Sequence, residues 1–485
     1  MEKLRHFING EFANPAEDRW LNVFEPATGK KYAELADGCE KDLDRAVGAA
    51  LSAQHEWART PAEVRARYLN RLADLIDANH ERLVDAESRD NGKPVHVSAA
   101  VDIPRAALNL RFFAAAATQF ASESHAAVDS INYTLRQPLG TVGCISPWNL
   151  PLYLFTWKIA PALAAGNCVI AKPSEITPLT ATLFGELCIE AGLPAGVLNI
   201  VHGRGSEIGR LIVEHPDISA ISFTGGTKTG ADIASRAAPK FKKLSLELGG
   251  KNPTVVFDDC AHSNEQWEKM LRDVTRASFA NQGQICLCGS RIYVQRPVYE
   301  KFLADFITRA RAIAPGDPRD ADTRHGAMVS KEHMEKVLAN IETARQEGGR
   351  IECGGERVVV KGRCENGWFI APTVITGLGN ECRTNQEEIF GPVVTVMPFE
   401  DEHDAVRLAN GTNYGLAASI WTNDVGRTHR LARDIDAGLL WFNTWMLRDL
   451  RVPMGGMKQS GVGREGGFEA MRFFTEAKNV TIKYE

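Results

Sequence analysis

The feature that most restricts this chain is the alternation of short apolar runs with helical segments between residues 141 and 248. The runs TVGCISP (141–147), NCVIAKP (167–173), VLNIVHG (197–203), AISFTG (220–225) and KKLSLEL (242–248) have the length of strands. Between them lie helical patterns near 152–165, 178–191, 206–214 and 228–238. Strands joined through helices of this length cross over rather than turn back, so they lie parallel and helices cover both faces of the sheet. Such an open sheet is a nucleotide-binding architecture as a class, and it fixes no chemistry by itself.

The flanks have a different texture. Residues 40–125 repeat apolar residues at helical spacing with charges between them, as in EKDLDRAVGAALSAQHEWA. From 131, INYTLRQPLG alternates and stops at Pro-Leu-Gly, which predicts an exposed strand of a hairpin. A second alternating region opens with KNPTVVF (251–257) and runs to about residue 445. It holds a helix near 262–281, the strand RIYVQ, a helix over 297–313, and the strands TVITG and GPVVTVMPF, and it reads as a second α/β domain. The closing KNVTIKYE is a strand with no local partner, left to pair with 131–137 or with another subunit.

Composition narrows the classes of function. A net charge of −5 over 485 residues, with no basic tract, argues against nucleic acid as a partner. The longest apolar region, 145–171, is interrupted by Pro147, Asn149, Pro151, Lys158, Pro161 and Asn167, so it reads as buried core and not as a membrane span. The opening MEKLRHFINGEF has no apolar signal-peptide core. Ten scattered cysteines without a Cys-x-x-Cys pair or a completing histidine spacing predict free thiols, no metal site and a cytoplasmic protein.

Three local features carry possible chemistry. GRGSEIG follows the third strand with Gly203, Gly205 and Gly209, one residue longer than a dinucleotide fingerprint; a plain glycine turn and a phosphate site both fit. Glu247, at a strand end ahead of two glycines in LELGGKNP, is either a general base or an ion-paired strand carboxylate. FANQGQICLCGSR places Cys286 and Cys288 one residue apart in a glycine-containing turn, where backbone N–H groups would favour a thiolate. A metal needs more ligands than two, and a Cys-x-Cys disulfide would be strained. Beside the default of buried core thiols, a single nucleophile is the best functional reading.

Glu247 in LELGGKNP followed by Cys286 in FANQGQIC resembles the paired signature of the aldehyde dehydrogenase superfamily. The likeness runs over nearly the whole chain through SPWNLP (146–151), KPSE (172–175), FTGG (223–226), EEIFGP (387–392), NYGLAA (413–418) and GGMKQSGVGREGG (455–467). It implies an α/β fold with a Rossmann-type NAD-binding domain (1–124 and 141–250), an α/β catalytic domain (251–445), and a small β oligomerisation element formed by 125–140 with 446–485. It implies Cys286 as nucleophile, Cys288 as bystander, Asn149 as oxyanion donor and Glu247 as the base for the deacylating water. It assigns to NAD the residues Ser146, Pro147 and Trp148; Lys172, Ser174 and Glu175; Gly205 and Gly209; Phe223, Thr224, Gly225 and Gly226; Leu248; and Glu388 with Phe390. Glu175 would repel a 2′-phosphate and so favour NAD over NADP. Two departures stand out: Gly226 replaces a frequent serine, and DDCAHSNEQW (258–267) is longer than usual and predicts a surface insertion.

Within the superfamily, DIPR (102–105), SPWNLPLYLFTWKIAPALAAGN and NTWMLRDLR (443–451) are most similar to the 2-aminomuconate and 2-hydroxymuconate semialdehyde dehydrogenases. That likeness implies a small anionic aldehyde, preferably 2-aminomuconate 6-semialdehyde, and a homodimer or homotetramer. Arg105 and Arg448 are the candidates to grip a substrate carboxylate, with Trp157 beside them and Arg451 as a substitute. Against this stands the bland expectation that the two arginines pair with Asp102 and Asp449. Betaine aldehyde would want an aromatic cage, for which Trp157 and Trp445 are available, and retinal an apolar tunnel. A structural, crystallin-like role is the non-enzyme alternative, opposed by the joint retention of Cys286, Glu247 and Asn149.

Overall fold

The computed structural model describes residues 2–484. Its first sheet has eight strands in the order Gly461–Val462, Lys243–Glu247, Ala220–Thr224, Thr141–Ile145, Cys168–Lys172, Leu198–Ile200, His6–Ile8, Glu11–Ala13. The five central strands are parallel, and they are the five apolar runs read from the sequence. The outermost pairings are antiparallel. Counted along the chain, the parallel strands lie in the order fifth, fourth, first, second, third. The chain direction across the sheet therefore reverses between Thr141–Ile145 and Ala220–Thr224, which opens a crevice at their carboxyl ends.

Helix Pro151–Ala164 fills the space above this sheet with all fourteen residues buried. That explains the long apolar region: Pro151 stands at the first helical position, where no amide bond is lost. The buried Lys158 is neutralised by Glu465 at 2.8 Å. Helices Ala62–Ala78 and Ile103–Gln119 pack as outer layers of the same core. A single π turn, Ser98–Asp102, precedes the second of them.

The second sheet has seven strands: Arg350–Cys353, Thr373–Thr376, Val393–Phe399, Gly289–Gln295, Asn252–Val256, Ala417–Trp421 and Leu439–Phe442. All neighbours are parallel except the first pair. Within the 258–267 segment, residues 261–266 are exposed, as a surface insertion requires, while two flanking residues are anchored. Cys260 and Trp267 are buried in the core of this sheet, and the Trp267 indole donates to Asp305 at 2.8 Å.

The terminal strand Thr475–Lys483 pairs antiparallel with Ser130–Pro138 over nine residues, and Ser124–Ala126 adds a third strand. The stretch grouped with this arm on sequence divides in space. Gly461–Val462 lies against Leu246–Glu247 at the edge of the first sheet, and Met454, Ala470, Met471 and Phe474 join the first core. Among the described residues, no helix is long and apolar enough to cross a membrane, and no cluster of three or more His, Cys, Asp or Glu is placed to hold a metal.

Candidate active site

Both halves of the chain meet at the crevice. A cavity of about 220 Å³ is lined by Pro147, Trp148 and Asn149 after the first parallel strand, Thr224–Gly226 after the fourth, and Leu248 and Gly249 after the fifth. Segments flanking strands of the second sheet close it with Cys286, Glu388 and Phe390. A neighbouring groove of about 470 Å³ takes in Gly205, Gly209 and Phe223. Glu175 borders a third space with Ile176 and Arg204. Lys172 and Ser174 are buried beneath these openings.

Eight of the ten cysteines are buried; Cys286 and Cys382 are partly exposed, and of these Cys286 lines the cavity. Its loop is shaped by three successive left-handed residues, Asn281 (φ 50°), Gln282 (φ 57°) and Gly283 (φ 70°). Cys286 does not show the lowered pKa expected of a turn rich in N–H donors. Burial pushes the thiol up, Glu388 and Glu247 add to the rise, and only Arg448 opposes it. Cys288 is buried, and burial raises its thiol to about 12.

Glu247 is buried, and neither carboxylate oxygen has a hydrogen-bond partner. Desolvation, reinforced by Glu465, raises its pKa well above the ordinary carboxyl value, while Lys158, Arg464 and Arg448 pull the other way. An ion-paired strand glutamate would show a short contact to a cation; Glu247 has none. Gly455 makes room for it, since a Cβ there would stand 2.7 Å from its Oε1.

The Asn149 amide donates one hydrogen to the Gln284 carbonyl at 2.9 Å. An amide nitrogen carries two, so the second remains for a group in the cavity. Glu388 accepts from the Gly250 N–H at 2.9 Å, and burial lifts its carboxyl to about 7. A Cβ at Gly249 would lie 2.3 Å from Glu388 Oε2, so any larger residue there would displace that carboxylate. Lys172 Nζ donates to Glu175 at 2.9 Å, and Glu175 accepts from the Gly205 N–H at 3.0 Å. Burial disfavours ionisation of Glu175, but Lys172 and Gly205 outweigh it and hold the carboxyl below its ordinary range. At Gly226 a Cβ would meet nothing, and the helix Thr227–Ala237 begins there without a side-chain cap.

The arginines have no carboxylate partner. Asp102 is taken by Lys93 at 2.8 Å and Asp449 by Arg451 at 2.6 Å, so the bland pairing does not form. Arg105 bonds Asn109 at 3.1 Å and lies over the rings of Tyr153 and Trp157, with Nη2 buried and unpartnered. Arg448 touches the Met454 sulfur, with Nε likewise unpartnered. Burial lowers the pKa of Arg105, and the nearby Arg448 lowers it further against an opposing effect of Tyr153. Arg105, Trp157 and Arg448 do not line the cavity itself. Trp157 is buried under Arg105, and Trp445 is buried with its indole on the Leu287 carbonyl, so neither forms an open cage.

Two lining residues lay outside every sequence signal. His333 and Lys336 sit on the helix Lys331–Gln346, where Ser330 caps the His333 amide at 3.1 Å. His333 Nε2 lies 2.7 Å from the Phe390 carbonyl, and its ring meets Trp148 edge-on. A helix with ordinary amphipathic spacing gives no local hint of such a role.

The profile of the aldehyde dehydrogenase family matches residues 12–480. The 2-aminomuconic semialdehyde dehydrogenase of Danio rerio is 47% identical over 486 residues, covering 99% of this chain and 98% of its own. The 2-hydroxymuconic semialdehyde dehydrogenase of Pseudomonas putida is 41% identical over 496 residues, with both chains fully covered. Among solved structures, the NAD+ complex of an aldehyde dehydrogenase from Bacillus cereus superposes with a TM-score of 0.96 at 38% identity, covering 100% of this chain and 97% of that one.

Proposed function

The chain belongs to the aldehyde dehydrogenase family, and from that premise we propose that it oxidises an anionic muconate-type semialdehyde, preferably 2-aminomuconate 6-semialdehyde, to its acid with NAD. The observation that carries the substrate is the pair Arg105 and Arg448: two partly buried guanidinium groups near one another, each with an unpartnered N–H and neither with a carboxylate. Unpaired buried charge is costly, and a substrate carboxylate would offset that cost. The same two charges disfavour a cationic aldehyde.

The residues present fit NAD. The crevice lies at the switch point of a parallel sheet, Glu388 offers ribose hydroxyls a carboxylate held by Gly250, and Ser146 and Thr224 carry buried hydroxyls without partners. Glu175, kept ionised by Lys172, favours a free 2′-hydroxyl over a phosphate. Bound there, NAD supplies the hydride acceptor.

In this reading the Cys286 thiolate attacks the aldehyde carbon. The free Asn149 N–H and the Cys286 backbone N–H hold the resulting oxyanion, each donor lowering the barrier by ~3–4 kcal/mol. Once the thioester has formed, Glu247 takes a proton from water, the water oxygen bonds the acyl carbon, and the C–S bond breaks to release the acid and leave Cys286 as thiolate. The three-stranded arm would carry subunit contacts, and the free thiols suit a reducing cytoplasm.

The test is selectivity. A charge-assisted contact of roughly 1.5–3 kcal/mol corresponds to about ten- to more than hundredfold in kcat/KM. Arg448→Ala should lose that factor toward the anionic semialdehyde and much less toward an uncharged aldehyde of similar length. Equal losses on both would make Arg448 structural and remove the basis for this substrate.

A further inference from the structure

The carbonyl of Asn149 lies in irregular backbone between the strand Thr141–Ile145 and the helix starting at Pro151, where no ladder supplies a donor. Three side chains converge on it: Asn281 Nδ2 at 3.0 Å, Lys93 Nζ at 3.1 Å and Asn91 Nδ2 at 3.2 Å. They come from the strained turn ahead of Cys286, from the segment after the helix His80–Asn91, and from that helix's last residue. Lys93 is completely buried, and its ammonium also binds Asp102 at 2.8 Å, itself completely buried. Asp102 closes the π turn that leads into the Arg105 helix.

A buried ion pair is a poor stabiliser, because desolvating both charges consumes most of their attraction. The pair is accounted for by the second contact that the ammonium makes, to the Asn149 carbonyl. We propose that Lys93, held by Asp102, is a positioning residue that fixes the Asn149 backbone so that the free amide N–H of Asn149 points at the oxyanion. This rests on the reading of Asn149 as the oxyanion donor. Lys93 touches neither substrate nor cofactor; it acts by removing the freedom of one peptide unit. With the carbonyl clamped from three sides and the side chain tied to Gln284, the amide has one orientation left.

The test is a double-mutant cycle between Lys93→Met and Asn149→Ala. It is read as the single-turnover rate of NADH formation, with NAD affinity followed separately by tryptophan fluorescence. Lys93→Met should slow the single turnover about tenfold or more while leaving NAD affinity within about twofold. In the Asn149→Ala background the same substitution should add less than about threefold, because the group it positions is gone. Equal losses in the two backgrounds would mean that Lys93 is only structural, and would overturn the proposal while leaving the Asn149 assignment standing. A fully active Asn149→Ala would overturn both. Should Lys93→Met fail to fold because Asp102 is stranded, Lys93→Met/Asp102→Leu removes both charges at similar volume. This double variant should fold and show the same slow turnover, and a parental rate in it would overturn the proposal.

Discussion

A carboxyl buried without hydrogen-bond partners, as Glu247 is, keeps its proton to higher pH than one in water. For a general base the sign follows directly. The ionised form does the work, so deacylation falls as pH drops through the raised pKa, and the acid limb lies above the ordinary carboxyl range. Steady-state rates measured from pH 5 to 9 should show that limb. Glu247→Gln should remove it, and should leave a burst of NADH near one per site followed by a very slow steady state. A variant without a burst would instead place Glu247 ahead of hydride transfer, as the group that takes the proton from the raised Cys286 thiol. How much of this was legible in the sequence differs by residue. Cys286 and Glu247 were, through their motifs. Their electrostatics were not, because desolvation depends on what packs around a side chain, and Glu465 lies 218 positions from Glu247 in the chain.

At the scale of elements, the turn ahead of Cys286 is a left-handed run of which only one member is glycine. Non-glycine residues in that region cost about 1–2 kcal/mol each, so surrounding contacts must hold them there. The Asn281 amide is one such contact, donating to the Asn149 carbonyl at 3.0 Å. Gly283 faces the Gly391 carbonyl, where a Cβ would stand 2.1 Å from the oxygen. That neighbour is backbone and cannot swing aside. Gly283→Ala should therefore push the Cys286 loop away from the Glu388–Phe390 turn, costing ~2 kcal/mol or more of stability and about tenfold or more in kcat/KM. A urea midpoint and a burst measurement check the two effects. A parental burst with an unchanged midpoint would mean that the turn absorbs a methyl group without moving. The glycine was visible in FANQGQIC, but its partner carbonyl 108 positions away was not.

For the whole molecule, the nine-residue pairing of Thr475–Lys483 with Ser130–Pro138 is the closure that joins the chain's last strand to its first third. Leu135 and Ile482 remain exposed on it. Removing residues 475–485 would leave Ser130–Pro138 as an open edge with unpaired N–H and C=O groups, a template for uncontrolled association. The truncated chain should melt at least ~3 °C lower and scatter light at concentrations where the full chain is clear. A chain that stays monodisperse with an unchanged melting temperature would show that the arm contributes neither stability nor protection.

Periodicity is local, and local information is what the sequence by itself determined. Each apolar run dictates a strand, each 3.6-residue pattern a helix, and their alternation a parallel sheet with a crevice at its carboxyl edge. The family motifs add which residues stand at that edge. Tertiary structure decided the pairings: the two N-terminal strands joining the first sheet, Gly461–Val462 against Glu247, and Asp102 with Lys93 in place of Arg105. It also brought His333 to the cavity and three amide and ammonium donors to one carbonyl. The physical reason is the same in each case. A charge or donor finds its partner by proximity after the chain has packed, and packing energy is summed over contacts far apart in the chain, so no window of neighbouring residues contains it.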